Sequence, residues 1–156
     1  MTRPLILALG NDLIGDDAAG LLAARDLQRL LAARVDVVET AAGGFALLDH
    51  LEHRTHVLIL DTIVTGAHPP GTLVEMTPED LGGAHACSPH TVGLPETIAL
   101  AHRLEIPFPS TIALLAMEIL PATTIGAPLS PAIAGALPSM VSRAKTIVDA
   151  WPAGGS

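Results

Sequence analysis

Residues 4–20 read PLILALGNDLIGDDAAG, and this stretch decides the fold. The apolar run over 4–9 has no polar face, which is the pattern of a strand covered on both sides. Gly10 ends it. Asp16 and Asp17 then lead into a helix expected over 17–33. There Leu21, Leu22, Leu27, Leu30 and Leu31 recur at helical spacing, while Arg25, Gln28, Arg29 and Arg34 fall elsewhere. A buried strand feeding an amphipathic helix is the start of a βα unit.

The pattern continues outward. Further strands are expected at 35–39 (VDVVE), 56–60 (HVLIL), 71–76 (GTLVEM) and 111–117 (TIALLAM). The third ends directly in Asp61. The fourth follows a tight Pro69-Pro70-Gly71 turn, so it pairs antiparallel at a sheet edge. Gly43-Gly44 breaks the chain before a short helix over 45–53. Ser88 reads as an N-cap with Pro89 at the first helical position, opening a helix to about Leu104 that is kinked at Pro95. A last helix over 130–150 is capped by Ser130 and Pro131 and bends at Pro138. The tail 152–156 frays. The fold class is therefore α/β: a three-layer, mostly parallel five-stranded sheet between helices, with one antiparallel edge strand.

Composition narrows the function. A single domain spanning 1–156 buries roughly 70% of its unfolded surface. The core is aliphatic, since the chain has one Trp, two Phe and no Tyr. A net charge of −8 with scattered basic residues excludes nucleic acid as the main partner. Cys87 is the single cysteine, so no internal disulfide forms, and a reducing cytoplasm is expected. No stretch reaches the ~20 apolar residues of a membrane helix.

In such a sheet, ligands gather beyond the carboxyl ends of the strands. Gly10-Asn11 and Asp16-Asp17 fall there after the first strand, Asp61 after the third, and His90 at the start of a helix. Two carboxylates at ~4 Å repel by on the order of 4 kcal/mol at an effective dielectric of ~20, so a proton or a cation must sit between them. An imidazole as third ligand suits nickel, zinc or a similar divalent ion, and three ligands leave open positions for chemistry. Each residue also has a plain structural reading. Acids suit a first helical turn, Asp61 suits a turn, and a histidine near a helix start is often structural. His50, His53, His56, His68, His85 and His102 follow no ligand spacing. Cys87 reads as a small buried hydrophobe. The sequence contains no H-E-x-x-H, G-x-S-x-G, C-x-x-C or Walker motif, and Gly10, Gly15 and Gly20 are spaced too widely for a dinucleotide fingerprint.

Leu9-Gly10-Asn11-Asp12-Leu13-Ile14-Gly15-Asp16-Asp17-Ala18-Ala19-Gly20 resembles the G-N-x-L-x-x-D-[DE]-x-x-G opening of the hydrogenase maturation endopeptidases. Asp61-Thr62-Ile63 resembles that family's D-A-[IV] segment, and Ser88-Pro89-His90-Thr91-Val92-Gly93-Leu94 its S-x-H-x-x-G-L segment. Leu129-Ser130-Pro131 resembles its L-[ST]-P before the final helix. The matches run in order over about residues 5–148.

The resemblance implies an enzyme that removes a C-terminal extension from the large-subunit precursor of a nickel–iron hydrogenase after nickel insertion. The nickel is supplied by the substrate, and zinc or cadmium would be in vitro substitutes. It implies Asp17, Asp61 and His90 as metal ligands. Asp16 and Asp17 are the candidate catalytic acids of an aspartyl-type protease, with Asp16 the candidate base. Gly10, Asn11, Glu39 and Gly43 are the candidate substrate-binding residues. The chain departs from the pattern at Glu39-Thr40-Ala41-Ala42-Gly43-Gly44, where many relatives have Asp-Gly-Gly or Asp-Gly-Thr, and at Glu118-Ile119-Leu120-Pro121, where relatives often have Glu-Pro. Competing readings are a metal-dependent peptidase of another substrate, a non-catalytic nickel-sensing assembly module, and nucleotide binding at the Gly10–Gly20 turn.

Overall fold

A computed structural model describes residues 2–82 and 88–153. Its sheet contains β1 (Leu5–Leu9), β2 (Asp36–Thr40), β3 (His56–Ile63), β4 (Leu73–Met76) and β5 (Thr111–Glu118) in the order β2-β1-β3-β5-β4. β2, β1, β3 and β5 run parallel, and β4 is the antiparallel edge. Every residue of β1 is buried, as its unbroken apolar run requires.

The helices are α1 (Ala19–Leu31), α2 (Leu48–Leu51), α3 (Leu94–Arg103) and α4 (Pro131–Asp149). They cover the two faces separately. Leu58 and Leu60 of β3 pack with Leu27 of α1 and Ile133 and Met140 of α4. Val57, Ile59 and Ile63 of the same strand pack with Leu51 of α2 and Leu94 of α3. The strand's alternation therefore divides its neighbours: even residues face α1 and α4, odd residues face α2 and α3.

The structure corrects several of these expectations. The first helix begins as a tight 3-10 turn over Gly15–Ala18 and becomes α-helical only at Ala19. β3 does not end at Asp61. β1 leaves the ladder after the Ala8–Leu60 pair, but β5 continues to pair through Asp61, Thr62 and Ile63. Ser88 and Pro89 do not open α3. Residues 89–93 form turns, Gly93 takes a left-handed φ of 83°, and the helix starts at Leu94 with Pro95 in its first turn. Pro95 thus starts the helix and does not kink it, since a first-turn residue lacks an N–H partner anyway. The expected helix over 45–53 is a 3-10 turn followed by the single turn of α2. α4 runs unbroken through Pro138, at an exposed position of the helix. His85 and Cys87 and the end of the tail (154–156) lie outside the described residues.

Candidate active site

The carboxyl edge of the sheet gathers three side chains from three different layers. Asp17 stands in the turn before α1, on one side of the sheet. His90 comes from the turn before α3, on the other. Asp61 belongs to β3 between them, one position past its last pairing with β1. One ligand atom from each lies within 4.8 Å of the others. His90 Nε2 is 3.8 Å from Asp17 Oδ2, which is ion-pair distance but too long for a hydrogen bond.

The three convergent side chains differ in environment. Asp61 is only 2% exposed. Burial pushes its carboxyl up to about 7, against the opposing pull of the Ser88 hydroxyl, the Thr62 amide and His90. Asp17 is half-buried. Burial raises it too, but His90, the Thr62 hydroxyl and the Asn11 amide outweigh that and hold it below the usual carboxylate range. Facing Asp17, then Asp61, lifts His90 above its ordinary value against burial. Among the described residues, no Lys or Arg is ion-paired with either carboxylate, and only His90 faces them.

Each carboxylate is held by fixed donors. Asn11 N donates to Asp17 Oδ2 at 2.9 Å, and Thr62 Oγ1 donates to Asp17 Oδ1 at 2.9 Å. Thr62 N donates to Asp61 Oδ1 at 2.8 Å, and Ser88 Oγ donates to Asp61 Oδ2. Ser88 also accepts the amides of His90 and Thr91, so it caps the turn that carries the imidazole.

Two glycines permit the convergence. A Cβ on Gly10 would lie 2.4 Å from the carbonyl oxygen of Asp17, and one on Gly43 would lie 2.8 Å from both Cα and O of His90. Gly10 and Gly43 therefore let the β1 and β2 turns press against the two outer ligands. Gly44 N donates to the His90 carbonyl at 3.3 Å.

The other candidates sit elsewhere. Asp16 turns away from its neighbour. Its Oδ1 accepts Ser130 N at 2.7 Å and its Oδ2 accepts Ser130 Oγ at 2.8 Å, so it is clamped to the N-terminus of α4. That places the anion where the helix dipole favours it and leaves Ser130 without a cap bond of its own. Glu39 is gripped by Arg25, with Nη2 at 2.7 Å and Nε at 3.1 Å, and joins no triad residue. Sequence reasoning missed Thr62 and the Ser88 hydroxyl as donors to the carboxylates. The available signal was a hydroxyl residue directly after the acid of an otherwise apolar strand.

Beside the triad lies a cleft of about 510 Å³ floored by Asp17, Ser88 and His90 and walled by Ile14, Val64, Ile119 and Pro121. Around this edge, Leu13, Phe45, Val64, Val92, Leu120 and Ile125 are large exposed apolar side chains.

A three-layer α/β protein with an acidic–imidazole cluster at the carboxyl edge of its sheet is the class that this architecture defines. The chain belongs to the hydrogenase maturation protease family, whose model matches residues 22–147. It is 30% identical over 117 residues to a hydrogenase 2 maturation protease of Escherichia coli K12, covering 72% of this chain and 71% of that one. The solved HybD maturation protease of Thermococcus kodakarensis superposes with a TM-score of 0.73 at 28% identity, covering 94% of this chain and 99% of that one. The HybD maturating endopeptidase of E. coli has the same fold, with a TM-score of 0.76 at 23% identity over 95% and 93% of the two chains. The chain is thus a hydrolase of the peptidase class. Among the described residues no helix is long and apolar enough to cross a membrane.

Proposed function

We propose that this endopeptidase removes the C-terminal extension of a hydrogenase large-subunit precursor in the cytoplasm, and that it recognises nickel already carried by that substrate. The single observation that supports this most directly is the triad. Asp17, Asp61 and His90 bring ligand atoms within 4.8 Å of one another, and among the described residues no ion-paired Lys or Arg balances the acids. At that separation two ionised carboxylates repel by roughly 3–4 kcal/mol at an effective dielectric of ~20. A divalent cation relieves the repulsion, and two carboxylate oxygens with one imidazole nitrogen suit nickel, zinc or cadmium.

The precursor's nickel is part of the substrate, and docking it against the triad fixes the scissile peptide in the adjoining cleft. Positioning of this kind supplies several kcal/mol. The apolar rim of Leu13, Val64, Leu120 and Ile125 suits a protein substrate better than a small molecule. Asp17, ionised and half-exposed at the cleft, is the carboxylate placed to take a proton from water as its oxygen attacks the peptide carbonyl carbon. The C–N bond then breaks, and the leaving amine takes up the proton. Asp16 is spoken for by Ser130 and serves this reading as a positioning residue, not a base.

Purified precursor, nickel-loaded or nickel-free, is incubated with the protein and the large subunit is weighed by mass spectrometry. Loss of a C-terminal fragment from the loaded precursor alone is expected. Equal processing of both forms contradicts nickel recognition, and no processing of either contradicts the substrate.

A further inference from the structure

We infer that Thr62 is a positioning residue that aims both carboxylates of the triad at one point. It lies in β3 and is 3% exposed. Its amide donates to Asp61 Oδ1 at 2.8 Å, and its hydroxyl donates to Asp17 Oδ1 at 2.9 Å. One residue therefore fixes an oxygen of each acid, one through the backbone and one through the side chain.

The strand geometry explains how. Asp61 is an odd residue of β3 and faces the α3 layer, where Ser88 takes its second oxygen. Thr62 is an even residue and faces the α1 layer, where Asp17 stands. Alternation alone would send these two neighbours to different environments. The hydroxyl turns that divergence into a bridge, tying the acid of one layer to the strand that bears the other.

The torsion about a carboxylate's last bond is broad and soft. Asp17 is tethered at one oxygen by the Asn11 amide. Its second tether is the Thr62 hydroxyl, and with both made the carboxylate plane is set. Each tethered oxygen has a lone pair left over, and those pairs are what the site presents to a cation. Groups that orient metal ligands in this way typically change affinity 10–100-fold when removed.

This inference rests on the reading of the triad as a cation-docking site, and the experiment separates the two. Thr62→Val keeps the shape, the β-branch and the amide bond to Asp61 but removes the hydroxyl donor to Asp17. Thr62→Ser keeps the donor and loses the methyl. Zinc binding to the metal-free protein is measured by calorimetry, with melting temperature and the KM for nickel-loaded precursor measured in parallel. Thr62→Val is expected to bind zinc about 10–100-fold more weakly and to show a raised KM, at an unchanged melting temperature, with Thr62→Ser restoring both. If wild type binds zinc and Thr62→Val binds it equally well, the assignment of Thr62 is overturned and the cation reading stands. If the weakened binding comes with a melting loss that Ser does not restore, Thr62 is structural and the assignment also falls. If wild type neither binds zinc nor distinguishes loaded from nickel-free precursor, the cation reading fails and takes this inference with it.

Discussion

The two ends of the sheet treat acids in opposite ways. At the amino edge Asp36 opens β2 and is answered by Arg54 and by Arg3 at 3.7 Å. At the carboxyl edge Asp17 and Asp61 face each other and, among the described residues, one imidazole. The first arrangement is a finished surface ion pair. The second holds more negative charge than its neighbours neutralise, in a place that burial makes costly. Folding alone would favour the first arrangement at both edges. The protein keeps the second where its turns, its cleft and its apolar rim converge, which marks that edge as the working one.

The contrast breaks most sharply at Asp61. Asp61→Asn and His90→Ala are each expected to slow precursor processing roughly 10²–10⁴-fold, the scale on which a group acting directly in proton transfer or its positioning is missed. Asp61→Asn is also expected to stabilise the protein. The carboxyl sits at about 7 when folded, against an ordinary 3.8. The folded state therefore prefers the protonated acid, and the stability tied to that proton is complete below pH ~4 and lost as pH rises through 7. An uncharged amide escapes that loss, worth on the order of 4 kcal/mol at most. Denaturant melts of both proteins at pH 5 and pH 8 check this: the variant's advantage should widen with pH. Zinc added to wild type at pH 8 should narrow it by mass action. An advantage that does not grow with pH would mean that Asp61 is not strained by its burial.

Gly43→Ala tests the fit of the outer turns. The added methyl would fall 2.8 Å from the His90 backbone, an overpacking that costs about 1–3 kcal/mol. Because the clash is with backbone, the turn bearing His90 must shift. Processing is expected to fall further than the melting temperature alone would explain, and zinc affinity to fall with it.

Asp16→Asn separates two neighbouring acids with different work. Losing the charged clamp on Ser130 should cost about 1–2 kcal/mol of stability and shift Asp17 only slightly, slowing processing by less than about tenfold. A loss as large as that of Asp17→Asn, at an unchanged melting temperature, would restore Asp16 as the base.

How much of this was legible beforehand follows from what each signal depends on. β1 and the 57–60 stretch of β3 are apolar on both faces, and such runs read directly as buried parallel strands. Asp17, Asp61 and His90 were legible because strand-to-helix order alone puts their positions on one edge. The direction of a side chain was not. Asp16 and Asp17 look interchangeable in sequence, yet in a 3-10 turn adjacent residues point apart, and one reaches Ser130 more than a hundred positions away. The end of β3 was misjudged because its length is set by β5, not by its own composition. Glu39 matched a motif position, but Arg25 on the neighbouring helix claims it.

Arg54→Ala at the amino edge is the smallest perturbation and the control for the rest. Arg54 is 24% exposed and pairs with Asp36 at 39%, so solvent screens the pair and its removal should cost no more than about 1 kcal/mol. Its Nη1 also donates to the Arg3 carbonyl at 3.3 Å, a long bond that water can replace. Asp36 starts the strand whose far end reaches the Gly43 turn, so a rigid sheet offers the one mechanical route from this edge to His90. Processing and zinc affinity are expected to match wild type, because the β1–β2 ladder between the edges is intact from Leu5–Asp36 to Leu9–Thr40. A variant that melts normally but processes slowly would show that the two edges are coupled, and the charge left unbalanced at the carboxyl edge would then have to be explained by the whole sheet.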